Sequence, residues 1–360
     1  MIKWLNELKV AAIESYYELF DGGFDVEVLI IGTDSWESEL ERRGIQLKDR
    51  PGVYLLDEIL LRDDATYFDV LHEFGHEALY QNLGVKNKLR DAQREENVQK
   101  MRELESQLPL EFLESATEQY AKLLGTRMKY KLSKIIKSVL GVFEPKFIAF
   151  NGSTQTTGWG RDLDLWIFSE NTEEIKNYQL PSEWDLEIVN PEVLEEGIGY
   201  ANGVYLDLAV TGEIIEDTEN YQGRMLKLLE RTPSKKEVDY HLRKSYKLIT
   251  LAKSILVESD FYGKLKLMKK IPTEDVILHN FDIPLQDDFF DALSYAISYA
   301  HIGKEYSRGN QPIISRVYIP LLEEIRALKQ VGYSHNPEEL IGSVEGFLKS
   351  CAQEVSTNFG

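Results

Sequence analysis

Two histidines stand four residues apart near the start of the chain, inside a segment with helical periodicity. Residues 72–76 read H-E-F-G-H, and apolar residues recur with a period close to 3.6 from Ala65 to about Leu83. In a helix, residues i and i+4 share a face, so His72 and His76 would present both imidazoles to one point. Two imidazole nitrogens placed in this way suit a single tetrahedral zinc ion. The spacing therefore predicts a helix with a metal-binding face.

The other groups at this metal site must be histidines or carboxylates. The chain has one cysteine, Cys351, which excludes an internal disulfide and any zinc cluster built from several cysteines. Glu73 follows the first histidine directly. At that position a glutamate is placed to take a proton from metal-bound water rather than to bind the metal.

A second helical segment offers a third ligand. Residues 114–121 read E-S-A-T-E-Q-Y-A on the next stretch of helical period. Over roughly residues 24–125 the chain resembles the minimal gluzincin metallopeptidases, including the ImmA/IrrE-like group. That resemblance implies a peptide substrate and a zinc centre whose ligands are His72, His76 and Glu114. It makes Glu73 the catalytic base and Glu118 a residue that orients a ligand histidine. Glu118 as the third ligand is the competing assignment, and zincin folds can also lose catalysis and serve as sensors.

Another group of polar residues lies further along the chain, on two short predicted strands. Residues 147–153 read F-I-A-F-N-G-S, and a glycine-bearing loop leads to a second strand with Asp162 and Asp164. Side chains alternate along a strand, so these two carboxylates project from one face and can hold a pair of Mg²⁺ ions. Gly152 and Ser153 offer backbone N–H and hydroxyl donors to a phosphate. The pattern predicts a magnesium-dependent phosphate site.

This order of strand, Gly-Ser, loop and D-x-D resembles the polymerase-beta-like nucleotidyltransferases, as does the preceding amphipathic helix at 128–140. The family's third carboxylate sits on a later strand, and Asp207, in an expected strand at 204–210, is the candidate. The resemblance implies that Asp162, Asp164 and Asp207 bind Mg²⁺ and catalyse transfer of a nucleoside monophosphate from an NTP to a hydroxyl acceptor. That acceptor would be a small molecule, a protein or an RNA end. The loop between Ser153 and Asp162 is a little shorter than is usual in the family.

Charge is unevenly distributed along the chain. The 41 Lys and Arg against 61 Asp and Glu give a formal charge of −20, which argues against bulk DNA binding and against attraction to anionic lipid. Residues 181–220 contain 11 acidic residues and no Lys or Arg, whereas residues 241–270 contain eight Lys and Arg and two acids. Within that basic segment Lys253 and Lys264 are candidates to bind the nucleotide phosphates. A solvated surface face is the other interpretation of these lysines.

These segments together predict an α+β chain in three parts. We expect a zincin-like α/β metallopeptidase domain at 1–125, a nucleotidyltransferase core with a mixed sheet at 126–230, and a helical C-terminal domain at 231–360. No run approaches 18 apolar residues, and the first residues resemble an amphipathic helix rather than a secretory signal. A cytoplasmic protein with no membrane association is therefore expected.

The expected function is a Mg²⁺-dependent nucleotidyltransferase fused to a Zn²⁺-dependent metallopeptidase-like domain. Two alternatives stay open. The chain could act primarily as a zinc metallopeptidase, or as a regulatory, antitoxin-like binding protein in which one or both sites are inactive. The sequence does not select the nucleotide, the acceptor or the peptide.

Overall fold

The structure is a computed structural model that describes residues 2–20, 23–46, 49–94, 110–160, 162–178, 180–258, 283–331 and 337–359. The chain forms two compact units, each built from two stretches of sequence. The first comprises Met1–Pro191 and Gly212–Glu219, and the second comprises Glu192–Thr211 and Asn220–Gly360. Both helices and strands are well represented, so the α+β class holds.

The first unit combines helices with two small sheets. Its elements are α1 (Ile2–Leu19), β1 (Glu27–Ile31), α2 (Thr33–Arg42), β2 (Gly52–Tyr54), β3 (Glu58–Arg62), α3 (Tyr67–Asn82), α4 (Lys86–Arg94), α5 (Leu110–Leu140), β4 (Phe147–Asn151), α6 (Gly152–Thr157), β5 (Leu163–Phe168), α7 (Thr172–Asn177), β6 (Trp184–Val189) and β7 (Glu213–Asp217).

The second unit is helical in its described residues. Its elements, numbered on along the chain, are α8 (Pro191–Gly199), α9 (Gly203–Thr211), α10 (Tyr221–Leu228), α11 (Lys235–Glu258), α12 (Ile283–Ser307), α13 (Pro320–Val331) and α14 (Pro337–Phe359). The core between α11, α12, α13 and α14 contains Phe289 and Phe290, together with the buried thiol of Cys351.

The two sheets of the first unit differ in topology. One has the order β1-β3-β2, in which β1 runs parallel to β3 and the edge strand β2 runs antiparallel to it. The other has the order β6-β5-β4-β7, in which β4 is antiparallel to both neighbours and β5 is parallel to β6. Ile59 and Leu61 of the first sheet and Ile148 and Leu165 of the second belong to one hydrophobic core. The two sheets are therefore parts of one packed body.

Helix α5 is continuous where the sequence pattern suggests a break. A glycine that follows a stretch of helical period, as Gly125 does, has the sequence signature of a helix end, but α5 runs from Leu110 to Leu140. A glycine inside a helix costs about 1 kcal/mol relative to alanine. Here the bare backbone has a packing role, because a Cβ at Gly125 would lie 2.2 Å from the carbonyl oxygen of Gly158. The expected domain boundary between residues 125 and 126 falls inside this helix.

The strand expected at 204–210 is wrong, because these residues form helix α9. Asn202 begins the helix: its side-chain oxygen accepts the Val204 N–H at 3.1 Å, and its carbonyl oxygen accepts the Leu206 N–H at 3.0 Å. Apolar residues occupy nearly every side of this helix, so the sequence shows a continuous apolar run rather than a 3.6 period. Length and periodicity could not separate this short helix from a buried strand.

Among the described residues, no helix combines the length and the apolar character needed to cross a membrane.

Candidate functional site

The histidine helix α3 has a well-defined start. Thr66 forms a capping box with Asp69: the Asp69 carboxylate accepts the Thr66 N–H at 2.7 Å, and the Thr66 hydroxyl accepts the Asp69 N–H at 3.2 Å. The cap fixes where the helix begins, and the i to i+4 spacing places both histidines on one face of it. His72 and His76 lie together, with ring centroids 4.8 Å apart.

Gly75 brings the second ligand-bearing helix close to the histidines. A Cβ at this position would lie 2.7 Å from the carbonyl oxygen of Thr117 and 3.1 Å from the backbone nitrogen of Ala121. Only a residue without a side chain lets α3 and α5 approach so closely. The close crossing places Glu114 opposite the two histidines.

Three ligand atoms converge at this crossing. One nitrogen from each of His72 and His76 and one oxygen from Glu114 all lie within 4.8 Å of one another. The Nε2 atom of His72 is 3.6 Å from Oε2 of Glu114. Ligands of a tetrahedral zinc at about 2.0–2.1 Å lie roughly 3.3–3.4 Å apart, so small movements would complete the geometry. Glu118, the alternative ligand, instead pairs with Lys122 at 3.0 Å.

The surroundings of His76 favour a neutral, metal-ready imidazole. Its Nδ1 lies 3.1 Å from the hydroxyl of buried Thr117, and its ring stacks on Tyr54 at 5.8 Å between centroids. When Nδ1 donates its proton to that hydroxyl, Nε2 keeps its lone pair. Burial, with a smaller contribution from the neighbouring His72, lowers the pKa of His76 to about 4. Burial also lowers the pKa of His72, although the Glu114 carboxylate opposes that shift.

Glu73 is buried beside the histidines and faces the edge strand β2. A Cβ at Gly52 would lie 2.8 Å from the Glu73 side chain, so the strand backbone packs directly on the carboxyl group. The Tyr54 N–H hydrogen-bonds to that group. Burial raises the pKa of Glu73 to about 8, and the negative charge of Asp69 adds to the increase. A carboxyl group with such a pKa can take up and release a proton near neutral pH.

A buried ion pair lies one turn after Glu73, on the same face of α3. The carboxylate of Glu77 accepts hydrogen bonds from Lys86 Nζ at 2.6 and 2.7 Å and from the Tyr54 hydroxyl at 2.8 Å. Both Glu77 and Lys86 are almost fully buried. Because Tyr54 also stacks on His76, this pair fixes a ring that borders the candidate metal ligands.

The second candidate site lies on three neighbouring strands. Carboxylate oxygens of Asp162, Asp164 and Asp185 lie within 4.8 Å of one another. Asp162 immediately precedes β5, and Asp164 on β5 pairs in register with Asp185 on the parallel strand β6. On its other side Asp164 faces Asn151, the last residue of β4.

The Gly-Ser turn packs directly against this carboxylate group. Gly152 has φ +83°, and a Cβ there would lie 1.7 Å from Oδ2 of Asp164. Both the conformation and the space therefore require glycine. The Thr154 hydroxyl donates to the Asp162 carbonyl oxygen at 2.7 Å, which ties α6 to the start of β5. Ser153 is exposed at the first turn of the same helix.

The remaining predicted site residues do not join either candidate group among the residues that the structure describes. Asp207 is on α9 of the second unit, and among the described residues the carboxylate that joins Asp162 and Asp164 is Asp185. Lys253 is on α11, where its Nζ donates to Glu345 at 2.6 Å. The position of Lys264 lies outside the described residues.

Sequence reasoning missed two residues at the candidate sites. Thr117 contacts His76, and Asp185 joins Asp162 and Asp164. Thr117 lies within the segment 114–121, but only the glutamates of that segment were assigned roles, and Asp185 lies outside both motifs. Residues 184–189 read W-D-L-E-I-V, an alternating pattern that indicates a strand and was the available signal for Asp185. Thr117 had no comparable signal, because its role depends on the helix crossing.

The donor sets fit two different ions. Two imidazole nitrogens and one carboxylate oxygen are the ligand types of catalytic zinc, with a fourth position left for water or substrate. Three carboxylates, beside a turn that leaves room only for a glycine, suit the hard oxygen-binding ion Mg²⁺. The two groups can therefore hold metals of different chemistry on one compact unit.

Comparisons with protein-family models and with curated protein sequences find no match. A comparison with solved structures finds the crystal structure of a nucleotidyltransferase-like protein from Exiguobacterium sibiricum 255-15. The similarity covers 64% of this chain and 78% of that chain, with 13% sequence identity and a TM-score of 0.27. A TM-score of this size does not establish a shared fold. The functional proposal therefore rests on the residues of the two candidate metal groups.

Proposed function

We propose that the chain is a Mg²⁺-dependent nucleotidyltransferase whose metal ligands are Asp162, Asp164 and Asp185. The observation that carries this proposal is the convergence of the three carboxylates beside the Gly152–Ser153 turn. The order of Gly-Ser, D-x-D and a third carboxylate on a later strand is the pattern of the polymerase-beta-like nucleotidyltransferases. In this proposal Asp185 takes the place that the sequence pattern gave to Asp207.

Each group of the site has a defined task in this reaction. Asp162, Asp164 and Asp185 would hold Mg²⁺, whose positive charge would offset the charge of the nucleotide phosphates. Ser153 and nearby backbone N–H groups donate hydrogen bonds to phosphate oxygens. Asp185 is exposed, so it can accept the proton of the acceptor hydroxyl as its oxygen bonds to the α-phosphorus. The bond from the α-phosphorus to the bridging oxygen breaks, and pyrophosphate leaves with that oxygen.

Labelled nucleotides test this activity. The purified protein is incubated with Mg²⁺, each α-labelled NTP and a mixture of small-molecule, protein and RNA acceptors. We expect release of pyrophosphate and transfer of label, both abolished by Asp164→Asn. Glu187→Gln, on the same strand face as Asp185, is the matched control and should retain activity. Absence of both transfer and Mg²⁺-dependent nucleotide binding would reject the proposal.

A zinc-dependent peptidase is the second candidate activity, favoured by the convergence of His72, His76 and Glu114 beside buried Glu73. Zinc held there would polarise a peptide carbonyl and lower the pKa of a bound water. Glu73 would take a proton from the water molecule whose oxygen bonds to the peptide carbonyl carbon, and would pass that proton to the amine released when the carbon–nitrogen bond breaks. Thr117 would keep the His76 ring in the orientation that directs Nε2 to the metal.

Metal analysis and peptide cleavage together test the second activity. Wild type and Glu73→Gln should each contain about one zinc per chain, because Glu73 is not a ligand in the proposal. His76→Ala should lose the zinc. Only wild type should cleave a mixture of unstructured peptides, and chelation should stop it. Stoichiometric zinc without cleavage would reject peptidase activity and leave a regulatory metal site.

A further inference from the structure

A single buried carboxylate, Glu183, connects the two candidate metal groups. Its Oε1 accepts the Tyr67 N–H at 2.9 Å and the Trp4 indole N–H at 3.0 Å. Tyr67 is the first residue of α3, the helix that carries the histidines. Glu183 stands two residues before Asp185, and its carbonyl oxygen accepts the Leu163 N–H at 2.8 Å at the start of β5. One residue thus holds the histidine helix and both aspartate strands.

A second connection uses the other end of Tyr67. Its buried hydroxyl donates to the carbonyl oxygen of Gly158 at 3.0 Å. Gly158, at φ +77°, follows α6 and lies four residues before Asp162. The backbone of Gly158 also packs on Gly125 of α5, the helix that carries Glu114. Backbone touches backbone here, so no side chain is available to absorb a displacement.

These contacts connect helices α3 and α5, which carry the histidine group, to strands β5 and β6, which carry the aspartate group. An α-helix is stiff along its axis, so a shift at Tyr67 is carried directly to His72, five residues or roughly 7.5 Å further on. The strands β5 and β6 move with Leu163 and Glu183. An ion that fixes either group therefore restrains the elements that carry the other. The second ion then meets ligands whose freedom has already been reduced.

We propose that Glu183 is a positioning residue common to both metal groups, and that an ion bound at one group raises the affinity of the other. This inference rests on the proposed function, since it takes both groups as metal sites. By linkage, the factor by which zinc at the histidine group tightens binding at the aspartate group equals the factor in the opposite direction.

A titration with Mn²⁺ in place of Mg²⁺ measures the coupling. Binding is detected as the loss of the electron paramagnetic resonance signal of free Mn²⁺. The titration is run on zinc-free protein and on protein with one equivalent of zinc. We expect zinc to tighten Mn²⁺ binding at least about fivefold, the lower end of measured couplings. In His76→Ala, which lacks a zinc ligand, the same equivalent of zinc should have no such effect.

Variants of the connecting residues separate positioning from general stability. Tyr67→Phe removes the bond to Gly158, and Glu183→Ala removes the bond to α3, so each should reduce the coupling factor. Glu183→Gln should restore it, because the amide oxygen can accept both hydrogen bonds now made by Oε1. Tyr306→Phe is the matched control: it removes a buried tyrosine hydroxyl bonded to the Ala201 carbonyl oxygen in the second unit and should leave coupling intact.

Two failures can be told apart. If both ions bind but Mn²⁺ affinity is the same with and without zinc, the coupling is refuted and the metal sites stand. The coupling is also refuted if folded Tyr67→Phe and Glu183→Ala keep the wild-type factor. If either ion fails to bind, the proposed metal site itself is wrong and the coupling falls with it.

Discussion

Replacing Gly152 with alanine tests whether the Gly-Ser turn sets the position of Asp164. An added Cβ would lie 1.7 Å from Oδ2 of Asp164 and 2.7 Å from its Cγ. Ordinary carbon–oxygen contacts are no closer than about 3.3 Å, so the oxygen must move by roughly 1.5 Å. In addition, the left-handed backbone at φ +83° costs a residue with a side chain about 1–2 kcal/mol.

The displacement is large compared with what a metal site tolerates. Ligand distances in such sites vary by only about 0.2 Å, so Asp164 would leave the carboxylate group. We expect Gly152→Ala to weaken Mn²⁺ binding at least tenfold, which corresponds to about 1.4 kcal/mol. Electron paramagnetic resonance gives the Mn²⁺ affinity, and urea unfolding gives the stability of the same samples.

Gly44→Ala separates strain from displacement. Gly44 also has positive φ, +73°, but a Cβ there would have no atom within 4 Å. Both variants should lose similar backbone stability, and only Gly152→Ala should lose metal affinity. A folded Gly152→Ala protein with wild-type Mn²⁺ affinity would refute the placement of Asp164 in a metal group.

Three further changes test the surroundings of the sites and the second unit. Lys86→Met should lower the free energy of unfolding, measured in urea, by about 3–5 kcal/mol, because the buried charge of Glu77 loses its cation. Adding Glu77→Gln should recover much of that loss. Thr117→Val should weaken zinc binding about 10- to 100-fold in competition with a fluorescent chelator, since His76 loses its orienting partner; an unchanged affinity would contradict that role. Burial lowers the pKa of His241 to about 4. Its unfolded pKa is near 6.5, so its stabilising contribution is present above that pH and is lost as pH falls toward 4, by up to about 3 kcal/mol. His241→Gln should remove this part of the acid sensitivity in unfolding measured from pH 7 to 4, and an identical pH profile would contradict the assignment.

Local patterns in the sequence were enough to predict the elements that hold the motifs. The strand expected to carry the D-x-D pattern forms at Leu163–Phe168, and a helix carries residues 72–76 as their spacing requires. Both predictions rest on features within one turn of helix or one strand, namely side-chain alternation and i to i+4 spacing. Such features depend only on residues that are close together in the sequence.

The rest of the fold depends on packing between distant segments. Residues 204–210 are apolar at every position except Asp207, so their composition does not distinguish helix from strand. Gly125 has the sequence signature of a helix end, yet α5 continues because Gly158 packs against that bare backbone. Strand β6 has an alternating pattern in the sequence, but that pattern does not show that β6 pairs with β5.

The same division applies to the candidate sites. Glu114 was indicated by the resemblance to the gluzincins, and the structure brings it within 4.8 Å of His72 and His76 where the bare backbone of Gly75 lets α3 and α5 cross closely. Asp185 could not be found in this way, because it reaches Asp164 only through the parallel pairing of β5 with β6. Pairing between strands is a property of the whole sheet, and local sequence does not reveal it. The sequence pattern therefore selected Asp207 instead of Asp185.

The most direct test of the central claim compares Asp185→Asn with Asp207→Asn in Mn²⁺-dependent binding of a nucleoside triphosphate. If the metal group is Asp162, Asp164 and Asp185, the Asp185 variant should lose at least tenfold in Mn²⁺-dependent affinity, and the Asp207 variant should bind as wild type does. Wild-type binding by folded Asp185→Asn, together with loss in Asp207→Asn, would contradict the account.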